Sequence, residues 1–422
     1  MTVDQIRSLQ PELAALLETF RPYLGFTSNF GHLLAYVLGL LADLKRKSIE
    51  PIALAAGAAV RTLQEFLSSL DWDHEAANDH LQRVVMDRHG CARAIGVLDA
   101  CGHAKQGRMT PGVARQWCGE RGKIDNCVVG QHLLYSDNHP INPFNCALSS
   151  DLFLPKAWAE DAERRGKAHI PEEVVYRPKW RMALDQLKQA IANGVRFGFT
   201  VFDEDYGKVP AFWFELDALG QQAIGEVPVN FHVFAKRPAY RSLQKAHRAK
   251  RVDHLCRFSP LFREQPWQRV TVKDTPRGPL VWEVKMARVH LVVASPRPSR
   301  PTDRQYALII ARNVETGEIK YFISNAAASV PLSDLLTAAF ARWQIELWFE
   351  RAKQEAGLGA FEMRTYRSLL RHWFCSRLAM YFLAAQTQRL RGEKSGDHPG
   401  ASGRGKQRPG MDDLATHLAL AG

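Results

Sequence analysis

The sequence predicts an α/β protein: a mixed sheet flanked by helices, preceded by an all-helical segment and interrupted by a basic, β-rich stretch. Three observations predict it. Residues 1–90 carry apolar side chains at helical spacing. From residue 91 onward, short apolar runs alternate with helical stretches. Residues 236–330 then become rich in Pro and Arg and read as strands. With 422 residues, 46% hydrophobic and 24% charged, the chain has the composition of an ordinary globular protein of two or three domains.

The elements follow in order. "QPELAALLETFRPYL", "FGHLLAYVLGLLADLKR", "IEPIALAAGAAVRTLQEFLSSL" and "WDHEAANDHLQRVVMDR" are helical in period and define a domain over 1–90. "ARAIGVLDACG" is a buried strand closed by Asp99, and "KIDNCVVGQHLLYS" and "FNCALSSDLFL" are two more. The helix "KWRMALDQLKQAIANG" precedes another apolar run, "RFGFTVFDEDYG", closed by Asp203. A helix "VPAFWFELDALGQ" and a strand "VNFHVFA" complete 91–235, the first part of the sheet domain. Residues 236–330 hold the strands "QRVTVKD" and "LVWEVKMARVHLVVAS", then a hairpin with a "TG" turn. Residues 331–390 return to helix and include "RWQIELWFERAKQEAGLGAFEMRTY". Residues 391–422, rich in Gly, Lys and Arg, read as a flexible basic tail.

The net charge of +12 favours a polyanionic partner, nucleic acid first among them. Its distribution is uneven. Residues 236–304 hold 17 Lys/Arg and 5 Asp/Glu, a surplus equal to that of the whole chain. The helical domain over 1–90 is a candidate DNA-binding module, set against a plain accessory bundle; its 8 basic and 11 acidic residues argue against strong phosphate contact. Seven cysteines without a CxxC point to reduced thiols rather than a disulfide framework, and the spacing of Cys91, Cys101, His103 and Cys118 fits no zinc pattern. The N-terminus lacks the apolar core of a signal peptide, and "HLLAYVLGLLADL" is too short to span a bilayer. A cytoplasmic protein without a membrane partner is expected.

Asp99 and Asp203 each end an apolar run and are followed within four residues by Gly. Strand ends are where α/β sheets gather ligand groups. Two adjacent carboxylates repel unless a cation joins them, and Mg²⁺ takes oxygen ligands. The helix beginning at Arg342 supplies a third acid. At 100° per residue, Glu346 lies about 40° and Lys353 about 20° from Arg342 around the axis, so all three project from one strip. Three acids can hold two Mg²⁺ ions for phosphodiester chemistry, with Arg342 and Lys353 as phosphate clamps. Trp343, Trp348 and Phe349 would bury the other faces.

The arrangement Arg342-x3-Glu346-x6-Lys353 resembles the R-x3-E-x6-K signature of bacterial insertion-sequence transposases with a ribonuclease H-like DDE catalytic domain. "LDACGHAKQG…GVARQWCGERGKIDNC" resembles the first-acid region of one large subgroup, "FDEDYG" its second-acid region, and "GLGAFEMRTYRSLLRHW" the stretch after its glutamate. Similarity extends over most of residues 90–390. The resemblance implies that Asp99, Asp203 and Glu346 are the catalytic, metal-binding triad, with two Mg²⁺ ions for which Mn²⁺ can substitute. It implies a ribonuclease H-like fold carrying a β-rich insertion between the second Asp and the Glu. Ala339 stands where the family has Tyr, and Ala100-Cys101 where it favours Glu-Thr.

The implied partner is double-stranded DNA, as terminal inverted repeats and as target, bound by a homodimer in the nucleoid. Arg248, Lys250 and Arg251 are the cluster expected to carry non-specific phosphate contacts in the insertion. Trp282 is the candidate for stacking on a flipped base, set against its reading as a buried sheet residue. The alternative to an active transposase is a transposase-derived DNA-binding protein that has lost catalysis.

Overall fold

The computed structural model describes residues 3–140, 142–238, 248–275, 278–294 and 299–396. The basic tail expected at 391–422 therefore lies outside the described residues from 397 on, as do residues 239–247 of the basic stretch.

Five α-helices open the described chain: α1 (Val3–Glu18), α2 (Thr27–Leu41), α3 (Ile49–Ala55), α4 (Val60–Ser68) and α5 (His74–His89). The stretch from Ile49 to Leu70 reads as one periodic run but forms two helices, because Gly57 adopts φ +62° between them. Strands β1 (Ile95–Ala104), β2 (Ala114–Cys118), β3 (Lys123–Ser136) and β4 (Asn145–Leu152) follow, then α6 (Lys156–Ala159), α7 (Ala162–Lys167) and α8 (Lys179–Ala192). Next come β5 (Phe199–Phe202), α9 (Glu204–Gly207), α10 (Pro210–Ala218), β6 (Ala223–Val227), β7 (His232–Phe234) and β8 (Lys250–Arg251). Two short helices, α11 (Val252–Phe258) and α12 (Pro260–Arg263), precede β9 (Gln268–Thr275), β10 (Gly278–Val293), β11 (Arg300–Pro301), β12 (Tyr306–Asn313) and β13 (Ile319–Ser324). Three helices close the described chain: α13 (Leu332–Ala341), α14 (Trp343–Glu355) and α15 (Tyr366–Gly396). None of the described helices is long and apolar enough to cross a membrane.

The chain divides into two compact units. One comprises Met1–Cys91, Ala100–Arg196 and Gln344–Gly422; the other comprises Ala92–Asp99 and Phe197–Trp343. In the first, β2, β3 and β4 are antiparallel, with β3 long enough to pair β2 at its start and β4 at its end. Helix α8 packs on β3, and α15 packs on β4 and on α2, α4 and α5. The helices of residues 1–90 thus share a core with the C-terminal helix. Buried Arg371 on α15 donates to the carbonyls of Leu70 (2.9 Å) and Trp72 (2.6 Å), and Arg377 donates to Asn78 Oδ1 (2.7 Å) and the Leu148 carbonyl (2.8 Å). Such buried cations are tolerated because each finds oxygen acceptors.

The second unit is a large mixed sheet. The first half of β1 runs parallel to β5, and β5 parallel to β6. β13 then pairs antiparallel with β6, β12 with β13, and β10 with β12. The strands of the basic stretch therefore extend the sheet that carries the aspartates. Their hairpin turn is built as the sequence predicts around "TG": Asn313 Oδ1 accepts from the amides of Glu315 (2.8 Å) and Thr316 (3.0 Å), and Gly317 takes φ +72°. Helix α13 packs on β5 and β6.

Three expectations need correction. β1 does not end at Asp99 but runs five residues further, to Ala104, although its pairing with β5 stops at Leu98. Strands β2 and β6 go unread because "ARQWC" and "AIGEV" are short and lack a run of branched residues. The helix that reads as starting at Arg342 and reaching Tyr366 spans only Trp343–Glu355: Arg342 caps α13, and Gly357 at φ +59° cannot continue the helix.

Candidate active site

The parallel register of β1 and β5 ends at the pair Leu98 and Phe202, and Asp99 and Asp203 are the residues that follow. Both acids therefore stand just beyond the parallel pairing. Val97 and Leu98, like Val201 and Phe202, are buried, and each acid is the first residue beyond its apolar run. Gly225 on β6, opposite Phe202, leaves room for the ring, because a Cβ there would overlap it.

Each aspartate is engaged. Asp203 caps α9, its Oδ1 accepting from the Asp205 amide at 2.9 Å. Arg342 Nη1 donates to Asp99 Oδ2 at 3.2 Å, with the two side chains 24% and 15% exposed. This cation pairs with the Asp99 carboxylate, and its place at the C-terminal end of α13 is also favourable. Arg342, expected as a phosphate clamp, here rests on an acid.

Glu346 lies in the other unit, exposed on the first turn of α14. That helix is anchored by buried Ile345, Trp348, Phe349 and Ala352, as the aromatic pattern predicts. Lys353, on its last turn, donates to the Gly102 carbonyl (3.3 Å) and to Glu120 Oε2 (3.4 Å). Glu120 escapes the sequence reading, since a lone acid in a turn carries no periodic signal. Trp282 is only 4% exposed and packs against Phe340 with ring centroids 4.8 Å apart, a core position within β10. Trp267 is half-buried, with the Arg312 guanidinium 4.4 Å from its ring. Arg248 is exposed, Lys250 lies on β8, and Arg251 is tied to Asp253 at 2.7 Å.

Among the described residues, no group of three or more His, Cys, Asp or Glu side chains is placed to hold a metal ion. That includes Cys91, Cys101, His103 and Cys118. Cys118 instead joins Cys127 and Val129 in a small apolar core, where burial pushes the Cys127 thiol up to about 12. Asp99 and Asp203, the residues that follow the last paired positions of β1 and β5, offer only oxygen, the donor type that a hard divalent cation takes.

The family model described as "DDE superfamily endonuclease" matches residues 19–279, and the chain belongs to this family. A "Probable transposase for insertion sequence element IS701" from Microchaete diplosiphon is 25% identical over 250 residues, 58% of this chain and 60% of that protein. The chain therefore matches about three-fifths of that relative's length. A solved piggyBac transposase synaptic complex with hairpin DNA aligns over 99% of this chain and 77% of its own, at 10% identity and a TM-score of 0.42.

Proposed function

We propose that the chain is the transposase of an insertion sequence, with a ribonuclease H-like catalytic domain in which Asp99, Asp203 and Glu346 are the catalytic acids. The observation that carries this reading is the parallel pairing of β1 with β5 up to Leu98 and Phe202, with Asp99 and Asp203 the residues that follow each strand's last paired position. Membership of the DDE superfamily endonucleases and the likeness to an insertion-sequence transposase support it. Both aspartates fall inside the matched span.

Asp99, Asp203 and Glu346 are the residues that would hold two Mg²⁺ ions. When bound, such ions activate an attacking oxygen and stabilise the leaving one. The protein's own part is positioning. Asp203 is fixed by capping α9, and Asp99 accepts a hydrogen bond from Arg342. Arg342 and Lys353 are the donors for a phosphate at the scissile position. In the first step a water oxygen forms a bond to phosphorus as the 3′ oxygen of the element's end departs and is protonated. In the second, that 3′-OH attacks a phosphodiester of target DNA, one P–O bond forming as another breaks. Duplex DNA is the substrate in both steps, and a homodimer is the assembly on DNA.

The test uses purified protein, Mg²⁺ and DNA carrying the element's ends. Asp99→Asn, Asp203→Asn and Glu346→Gln should each abolish strand cleavage with the fold retained by circular dichroism; melting should stay near wild type for Asp203→Asn and Glu346→Gln and fall for Asp99→Asn, which breaks the pair with Arg342. Each change keeps side-chain size and removes one ligand charge. Wild-type-like cleavage by any one variant removes that residue from the triad.

A further inference from the structure

The unit that carries Glu346 and Lys353 also contains a cavity of about 720 Å³. Its walls come from three distant stretches: the turn after α2 (Leu44 to Ser48), the end of β1 and the turn beyond it (Ala104 to Thr110), and the end of α14 with the loop that follows (Lys353 to Arg364). Seven lining side chains are Lys or Arg, and one, Glu362, is acidic. A small-molecule pocket of this size is lined mainly by apolar groups, and this one is not.

The cations play two roles. Some hold the walls. Lys47 Nζ donates to the Glu355 carbonyl at 2.7 Å. Lys105 Nζ donates to the carbonyls of Gly359 (2.9 Å) and Phe361 (2.6 Å) and sits 3.5 Å from the Phe361 ring centroid. These bonds tie the α14 loop to both other walls. The turn beyond β1 is held in addition by Arg164, which donates to the Arg108 carbonyl at 3.0 Å. The remaining cations face solvent: Lys45, Arg46, Arg108 and Arg364 are exposed and form no ion pair among the described residues. Four unneutralised cations at the mouth of a cleft with preset walls form a surface for a chain of phosphates. Lys353 links this cavity to the helix of Glu346, seven residues or about 10 Å away along the axis.

We propose that this cavity binds the sugar–phosphate backbone of DNA, making the turn after α2 a nucleic-acid contact. This rests on the reading of the chain as an enzyme acting on DNA. Although residues 1–90 carry more acidic than basic residues, Lys45, Arg46 and Lys47 stand together at the cavity.

The probe is a labelled duplex of random sequence, with binding to the full chain followed by anisotropy across a salt series. Replacing Lys45, Arg46, Arg108 and Arg364 together by Ala should weaken binding and flatten the log–log salt slope by up to roughly 3.6 units, at about 0.9 per lost phosphate contact. All four side chains are exposed, so melting should be unchanged. Glu362→Gln, which removes the one lining acid, should tighten binding. A wild-type slope in the fourfold variant, or unaltered affinity in Glu362→Gln, overturns the proposal. Glu346→Gln separates this from the transposase reading: it should bind with the wild-type slope and not cleave. Full cleavage by Glu346→Gln would sink the catalytic assignment and leave the cavity's role standing.

Discussion

At the residue scale, Asp99, the residue that follows the β1–β5 pairing, rests on Arg342. The guanidinium 3.2 Å from Asp99 supplies the opposite charge in a partly buried setting. Removing it takes an ion-pair partner from a partly buried carboxylate. Arg342→Gln should therefore lower unfolding free energy by about 1–3 kcal/mol, read from urea titration at neutral pH. A loss below about 0.5 kcal/mol would place the contact among solvated surface pairs instead. Arg342→Lys should restore only part of the loss, because a single ammonium does not reproduce the planar guanidinium donor. Both acids could be read from sequence because each closes an apolar run. Their cation could be named too, but its partner could not: the contact joins residues 243 apart in the chain.

At the scale of elements, the site depends on how closely β5 and β6 approach. Phe202 directly precedes Asp203, and its ring lies over Gly225 on the neighbouring parallel strand. A methyl group at 225 would overlap that ring, and Phe202 is buried among Tyr206, Phe212 and Trp213. The ring cannot swing away freely, so the strand must shift and carry Asp203 with it. Gly225→Ala should cost about 1–3 kcal/mol of stability, seen as a lower melting temperature, and should reduce cleavage beyond what the stability loss explains. Full activity with a normal melting temperature would show that Phe202 repacks without moving Asp203. The helices show the complementary lesson. Period and aromatic content mark α14 correctly, but its ends depend on Arg342 capping the preceding helix and on Gly357 at φ +59°.

At the scale of the whole molecule, buried histidines set the response to acid. Burial pulls His132 down to about 3 from 6.5, with Arg377 adding to the effect, and burial likewise pulls His372 down to about 3. Both rings are hydrogen-bonded: His132 Nδ1 to Ser150 Oγ at 2.8 Å, and His372 Nδ1 to the Tyr36 hydroxyl at 2.8 Å. The folded protein keeps them neutral while the unfolded chain takes up protons below 6.5. More protons on the unfolded state means that stability rises with pH, so it is lost as pH falls from 6.5 toward about 3. The pair contributes a slope of up to about 2.7 kcal/mol per pH unit. Urea titrations over this range should show that decline, and the double variant His132→Gln, His372→Gln should show a shallower one. Parallel declines for the two proteins would move the acid sensitivity to other groups. No composition or spacing marks these histidines, because their behaviour comes from enclosure by residues far away in sequence. The same division holds throughout the molecule. Local sequence by itself determined the apolar runs, their closing acids, the hairpin turn and the aromatic face of α14, since each rests on neighbouring residues and simple periodicity. Only the tertiary structure decided that the strands preceding Asp99 and Asp203 pair in parallel, that Arg342 rests on Asp99, and that three basic stretches from an acidic segment, a strand end and a helix end line one cavity. Those outcomes depend on which strands pair and which loops converge, and such long-range contacts leave no local trace in the order of residues.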